Sequence, residues 1–111
     1  MTVIDIFTAE ELTTALQTHT FCIVDFYKEN CAACKMLDNS FKTILDLPEY
    51  SSIVLLKVKM EDVGEAYFIE QQLRQTPTLR FVYENEAVIN APGFSSPSSI
   101  KSLIKTVLEA A

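Results

Sequence analysis

Two stretches of the chain are apolar at nearly every position: Phe21-Cys22-Ile23-Val24-Asp25-Phe26-Tyr27 and Ile53-Val54-Leu55-Leu56-Lys57-Val58. Runs of this kind suit strands covered on both faces, as in a parallel sheet flanked by helices. Val3-Ile4-Asp5-Ile6-Phe7 predicts a further short strand at the N-terminus. Thr76-Pro77-Thr78 opens another, Leu79-Arg80-Phe81-Val82-Tyr83. The polar turn Glu84-Asn85-Glu86 then returns the chain as an antiparallel partner, Ala87-Val88-Ile89.

Helical spacing fills the gaps. Thr8-Ala9-Glu10-Glu11 fits a capping box with Thr8 as N-cap. Phe7 and Leu12 stand at staple spacing, and Leu12, Ala15 and Leu16 supply the inward face. A second helix is predicted from near Cys31 through Met36, Leu37, Phe41 and Ile44 toward Leu47, where Pro48 favours an end. A third spans about Val63 to Leu73, with Phe68 and Ile69 as core anchors. Gly93 breaks the chain before Ser96 and Pro97, placed as N-cap and first helical residue of a last helix. Its apolar face is Ile100, Leu103, Ile104, Val107 and Leu108. The order βαβαβαββα implies an α/β fold: a mixed sheet of about five strands with four helices on its two faces.

Composition narrows the function classes. With 111 residues, 49% of them hydrophobic, the chain fits one domain, 1–111, with a real core. The formal net charge of −6 argues against a general affinity for nucleic acid or anionic membrane. Ile53-Val54-Leu55-Leu56, the longest strictly aliphatic run, is far too short to span a bilayer. No basic-then-apolar leader opens the sequence, and three cysteines do not suit a disulfide-stapled secreted fold. A reducing cytoplasm is the expected compartment.

The sharpest chemical feature is Cys31-Ala32-Ala33-Cys34, placed after a buried strand and at a helix start. Residues three apart on a helix share a face, with Cβ atoms about 5–6 Å apart, so a small adjustment brings the sulfurs into bonding range. Cys31 would sit over unpaired N–H groups at the positive end of the helix dipole, which favours its thiolate. Cys34, one turn in, would be more shielded. The expected division of labour is an attacking Cys31 and a resolving Cys34. Half a zinc site is the competing use of such a pair, with His19 and Cys22 completing the set. An extended strand separates Cys22 from Cys31 by well over ~10 Å, which opposes it. Cys22 fits a core position and His19 a solvated helix end.

Asp25 interrupts an apolar strand, so it is at least partly buried, and burial raises a carboxyl pKa. That suits a proton acceptor for Cys34. Lys57, in the neighbouring strand, is placed to pair with it; a solvated strand-edge carboxylate is the alternative. Pro77 stands at a strand start, where proline is tolerated.

These residues together resemble the thioredoxin family over essentially the whole chain. The carriers are Val24-Asp25-Phe26-Tyr27, Cys31-Ala32-Ala33-Cys34-Lys35-Met36, Lys57, Thr76-Pro77-Thr78 and Gly93. The resemblance implies a thioredoxin fold and thiol–disulfide exchange with protein substrates. It implies Cys31 as nucleophile, Cys34 as resolving cysteine, and Asp25 with Lys57 as the buried pair that assists proton transfer. It also implies a cis Pro77 beside the cysteines and a substrate-docking rim at Thr76, Gly93, Tyr27 and Asn30. The family usually carries Trp-Cys-Gly-Pro-Cys. Here the stretch is Asn30-Cys31-Ala32-Ala33-Cys34, Tyr27 stands where a tryptophan is common, and Asn39 replaces a frequent proline.

The expected function is therefore a cytoplasmic, monomeric protein thiol–disulfide oxidoreductase working as a reductant on disulfide-containing proteins. It would need no bound cofactor or metal, with electrons coming from a separate NADPH-dependent flavin reductase. A disulfide oxidase or isomerase of the same fold, and a non-catalytic thioredoxin-fold binding module, are the alternatives.

Overall fold

The computed structural model describes all residues, Met1–Ala111. Five strands form one sheet: β1 (Thr2–Ile6), β2 (Phe21–Tyr27), β3 (Val54–Lys59), β4 (Thr78–Tyr83) and β5 (Glu86–Pro92), in the order β1-β3-β2-β4-β5. β3 pairs in parallel with β1 and β2, whereas β4 runs antiparallel to β2 and β5. The helices are α1 (Ala9–Thr18), α2 (Ala32–Lys42), α3 (Met60–Val63), α4 (Glu65–Glu70) and α5 (Pro97–Ala110). The mixed α/β architecture agrees with the hydrophobic pattern, but there are five helices rather than four.

Strand alternation divides the core between the two sheet faces. Phe21, Ile23, Leu55, Leu79 and Phe81 point to the side covered by α2 and α5, where they meet Leu37, Phe41, Ile100 and Ile104. Cys22, Val24, Phe26, Leu56 and Val58 point to the other side, against Leu12 and Ala15 of α1 and Phe68 of α4. The central strands are apolar at nearly every position because helices cover both faces. Asp25 shares the parity of Ile23 and lies on the α2 side, only 1% exposed.

Capping chemistry places the helix starts. The Thr8 hydroxyl accepts the Glu11 N–H at 3.1 Å, and the Ser96 hydroxyl accepts the Ser99 N–H at 3.2 Å with Pro97 at the first helical position. The third helix differs from its sequence prediction. Gly64, at φ 96°, separates α3 from α4, a backbone conformation that glycine adopts without Cβ strain. Gln72, at φ 62°, then ends the segment, with Leu73 N–H donating back to the Phe68 carbonyl. Phe68 is buried as expected. Ile69, one residue on and about 100° round the helix, is 67% exposed and anchors nothing.

Three smaller expectations also change. α2 stops at Lys42, where the Thr43 N–H and hydroxyl both turn back to the Ser40 carbonyl, at 3.3 and 2.8 Å; tight turns then lead to the 3₁₀ segment Pro48–Tyr50, before which Pro48 holds Leu47 extended at φ −67°, ψ 127°. Ile44 is buried all the same. Phe7 is exposed and forms no buried staple with Leu12, and Leu108 lies outside the buried stripe of α5. The hairpin turn falls at Glu84 and Asn85, both at positive φ, which twists the chain from β4 into β5.

Candidate active site

Cys31 and Cys34 meet where β2 hands over to α2. Asn30 adopts φ 52°, a left-handed conformation that asparagine tolerates better than most residues, and turns the chain into the helix. Cys31 is extended and serves as the N-cap of α2, its Sγ accepting the Cys34 N–H at 3.2 Å. The two sulfurs are joined in a disulfide, with Cα atoms 5.2 Å apart. Both cysteines are largely covered, Cys31 at 9% and Cys34 at 4% exposure, so the predicted contrast in shielding is small. What distinguishes Cys31 is its position at the helix mouth, where backbone N–H groups and the helix dipole stabilise negative charge on sulfur.

A second segment closes over the pair. Thr76–Pro77 is a cis peptide bond, and the Thr76 carbonyl lies 3.8 Å from Cys31 Sγ, with its hydroxyl at 3.9 Å. A disulfide sulfur has no hydrogen, so in this state only the hydroxyl can donate; the reduced thiol could also donate to the carbonyl. Gly93, at φ 85°, donates its N–H to the Pro77 carbonyl at 2.7 Å and so ties the β5–α5 loop to this segment. A Cβ at Gly93 would stand 3.2 Å from Gln75 Nε2. Thr76, Pro77 and Gly93 thus come together beside the cysteines. Tyr27, half-buried, and Asn30, exposed, line a cleft with Cys31, Cys34, Lys35 and Asp38.

Beneath α2, Asp25 and Lys57 stand opposite one another in the β2–β3 register. Lys57 Nζ is 3.7 Å from Asp25 Oδ2, a charge contact too long for a good hydrogen bond. Its hydrogen bond goes instead to Asp38 Oδ1 on α2, at 2.5 Å, and the ammonium also lies 4.7 Å from the centre of the Tyr27 ring. Asp25 Oδ1 has no partner at all. Burial pushes the Asp25 carboxyl up, Lys57 opposes this, Asp38 adds to it, and the result is a pKa of about 7. Burial pulls the Lys57 ammonium down, but Asp38 and Asp25 outweigh it and leave it above its usual value.

Asp38 was not among the candidates drawn from the sequence. It follows Cys34 by four residues, so on a helix both face the same way, and that spacing was the available signal. The residues weighed for zinc stay apart from the cysteine pair. Cys22 is fully buried on the opposite sheet face, its Sγ 3.6 Å from the His19 carbonyl. No three His, Cys, Asp or Glu side chains converge as metal ligands. No helix is long and apolar enough to cross a membrane.

Residues 3–106 match the family model described as Thioredoxin. A thioredoxin from Mycoplasmoides gallisepticum (strain R(low / passage 15 / clone 2)) is 27% identical over 95 residues, covering 86% of this chain and 92% of that protein. Among solved structures, Malassezia sympodialis thioredoxin superposes with a TM-score of 0.80 at 22% identity, covering 96% of this chain and 93% of the other. Trypanosoma brucei brucei thioredoxin gives 0.83 at 15% identity, covering 97% and 92%. At those identities the two structures speak for the fold.

Proposed function

The chain belongs to the thioredoxin family, its Cys31–Cys34 pair makes it a thiol–disulfide oxidoreductase in kind, and we propose that it works as a reductant of protein disulfides. The observation that carries this is Cys31 Sγ at the mouth of α2, accepting a backbone N–H at 3.2 Å with Thr76 beside it. That setting stabilises a thiolate and leaves an adjacent backbone edge for an extended substrate segment.

In the reduced protein, Cys31 thiolate attacks one sulfur of a substrate disulfide. A Cys31–substrate bond forms and the other substrate sulfur leaves as a thiolate, which takes a proton from water. Cys34 then gives its proton to the Asp25 carboxylate and attacks Cys31 Sγ. The Cys31–Cys34 bond forms, the substrate's second sulfur departs, and two electrons have passed from the protein to the substrate. Lys57 balances the charge that Asp25 carries between steps. Thr76, Gly93, Tyr27 and Asn30 form the rim on which the substrate chain lies. The reaction draws on no bound cofactor; a separate NADPH-dependent flavin reductase returns the disulfide to the dithiol. A reducing cytoplasm and a monomeric state go with this role.

Turnover of an insulin-type disulfide tests the proposal. Cys31→Ser is expected to abolish reduction, and Cys34→Ser to accumulate mixed disulfides with the substrate. Undiminished turnover by Cys31→Ser would overturn it. Equilibration against glutathione buffers fixes the direction of exchange, since Ala32 and Ala33 replace the residues that usually separate the cysteines. A disulfide that is reduced more readily than the glutathione couple would reassign the protein to oxidation.

A further inference from the structure

Lys57 could have held its ammonium over Asp25, its partner across the strand pair. It does not: Asp38 holds Lys57 Nζ at 2.5 Å, leaving Asp25 Oδ2 at 3.7 Å and Asp25 Oδ1 without a partner. Asp38 is also the solvent end of the arrangement, with a side chain 41% exposed against 17% for Lys57 and 1% for Asp25. It rises from α2 one turn after Cys34, so one helix carries both the resolving thiol and the carboxylate that restrains the lysine.

We propose that Asp38 is a positioning residue for thiol–disulfide exchange: it draws Lys57 toward the surface, so that the buried Asp25 carboxyl keeps its proton affinity, and links that carboxyl to solvent. This rests on the role given to Asp25 above. Two effects act in the same direction. The Asp38 charge repels a second negative charge at Asp25, and its hydrogen bond keeps the Lys57 ammonium from closing on Asp25. The other ionisable groups on this side are few. Lys59 on β3 is engaged with Glu29 at 3.2 Å, and Asp5 on β1 stands opposite Lys57 in register. Tyr27 on β2 offers its ring to Lys57. α2 adds Cys34 and Lys35 near Asp38, β4 contributes Leu79 and Phe81, and α5 contributes Ile100 and Ile104. The proton balance is simple: Cys34 yields one proton to Asp25 during resolution, and Asp25 returns one proton to water past Lys57 and Asp38 before the next cycle.

The test is the titration of the Asp25 carboxyl carbon, followed by NMR in the oxidised protein. This readout requires no substrate or reductase. Asp38→Asn is expected to move the Asp25 midpoint to lower pH by about one unit, because Lys57 is then free to close on it. Asp38→Glu should leave the midpoint near that of the parent. In a Lys57→Met background, the Asp38→Asn shift should fall to less than half. An unchanged midpoint in Asp38→Asn would overturn the proposal, and an undiminished shift in the Lys57→Met background would overturn the part played by Lys57. Either result leaves the exchange chemistry standing, since that is judged by insulin reduction with Cys31→Ser.

Discussion

With its pKa raised from 3.8 to about 7, Asp25 keeps its proton in the folded chain over a range where the unfolded chain has lost it. Below about pH 4 both states hold the proton and the group has no pH-dependent effect. Between there and pH 7 the folded state binds more protons, so stability falls as pH rises; above pH 7 the loss is complete. Asp25→Asn removes that loss. The oxidised variant is expected to gain up to a few kcal/mol over the parent at pH 8, and the gain should shrink steadily toward pH 4. Urea unfolding at several pH values checks this, and a pH-independent difference would contradict it. At this scale the sequence was informative for the cysteines and for the burial of Asp25, because local context alone defines both. Asp38 escaped notice because an acidic residue in a polar helical stretch looks solvated. Only the docking of α2 on the sheet brings it to Lys57.

Helix ends and the segment around Gly64 are the features most open to test at the level of elements. The hydroxyl of Ser96 accepts the Ser99 N–H, so Ser96→Ala should cost about 1 kcal/mol, read as a fall in thermal midpoint. Arg80 on β4 donates to the Gln71 carbonyl and Gln71 Oε1, both at 2.9 Å, and to Asn90 Oδ1 at 2.8 Å, while lying over the Phe26 ring. It fastens the end of α4 to the sheet. Arg80→Met keeps the apolar stem but not the donors, and is expected to cost about 1–3 kcal/mol and to hasten amide exchange over residues 65–73. The central strands were legible from the sequence because strands covered on both faces are apolar at nearly every position. The third helix was not, because Phe68 and Ile69 are equally apolar and periodicity over so short a segment leaves its phase open. Gly64 carried the only sign of the break.

One sheet serves both halves of the core, so neither face can lose its packing without loosening the other. Phe81 belongs to the cluster under α2 and α5, and Leu56 to the cluster under α1 and α4. Phe81→Ala should cost about 3–5 kcal/mol and Leu56→Ala about 2–5 kcal/mol, each lowering a single cooperative urea transition. Two separate transitions in either variant would show that the faces unfold independently. Cys22 occupies the middle of this shared sheet, fully covered, its thiol pushed up to about 11 by burial. A folded molecule therefore presents at most two cysteine thiols to a thiol-specific reagent, and the third becomes reactive only when the sheet is uncovered. The rate at which a probe tags Cys22 is then a clock for that uncovering, carried inside the protein and readable by mass alongside the redox state of the other two cysteines.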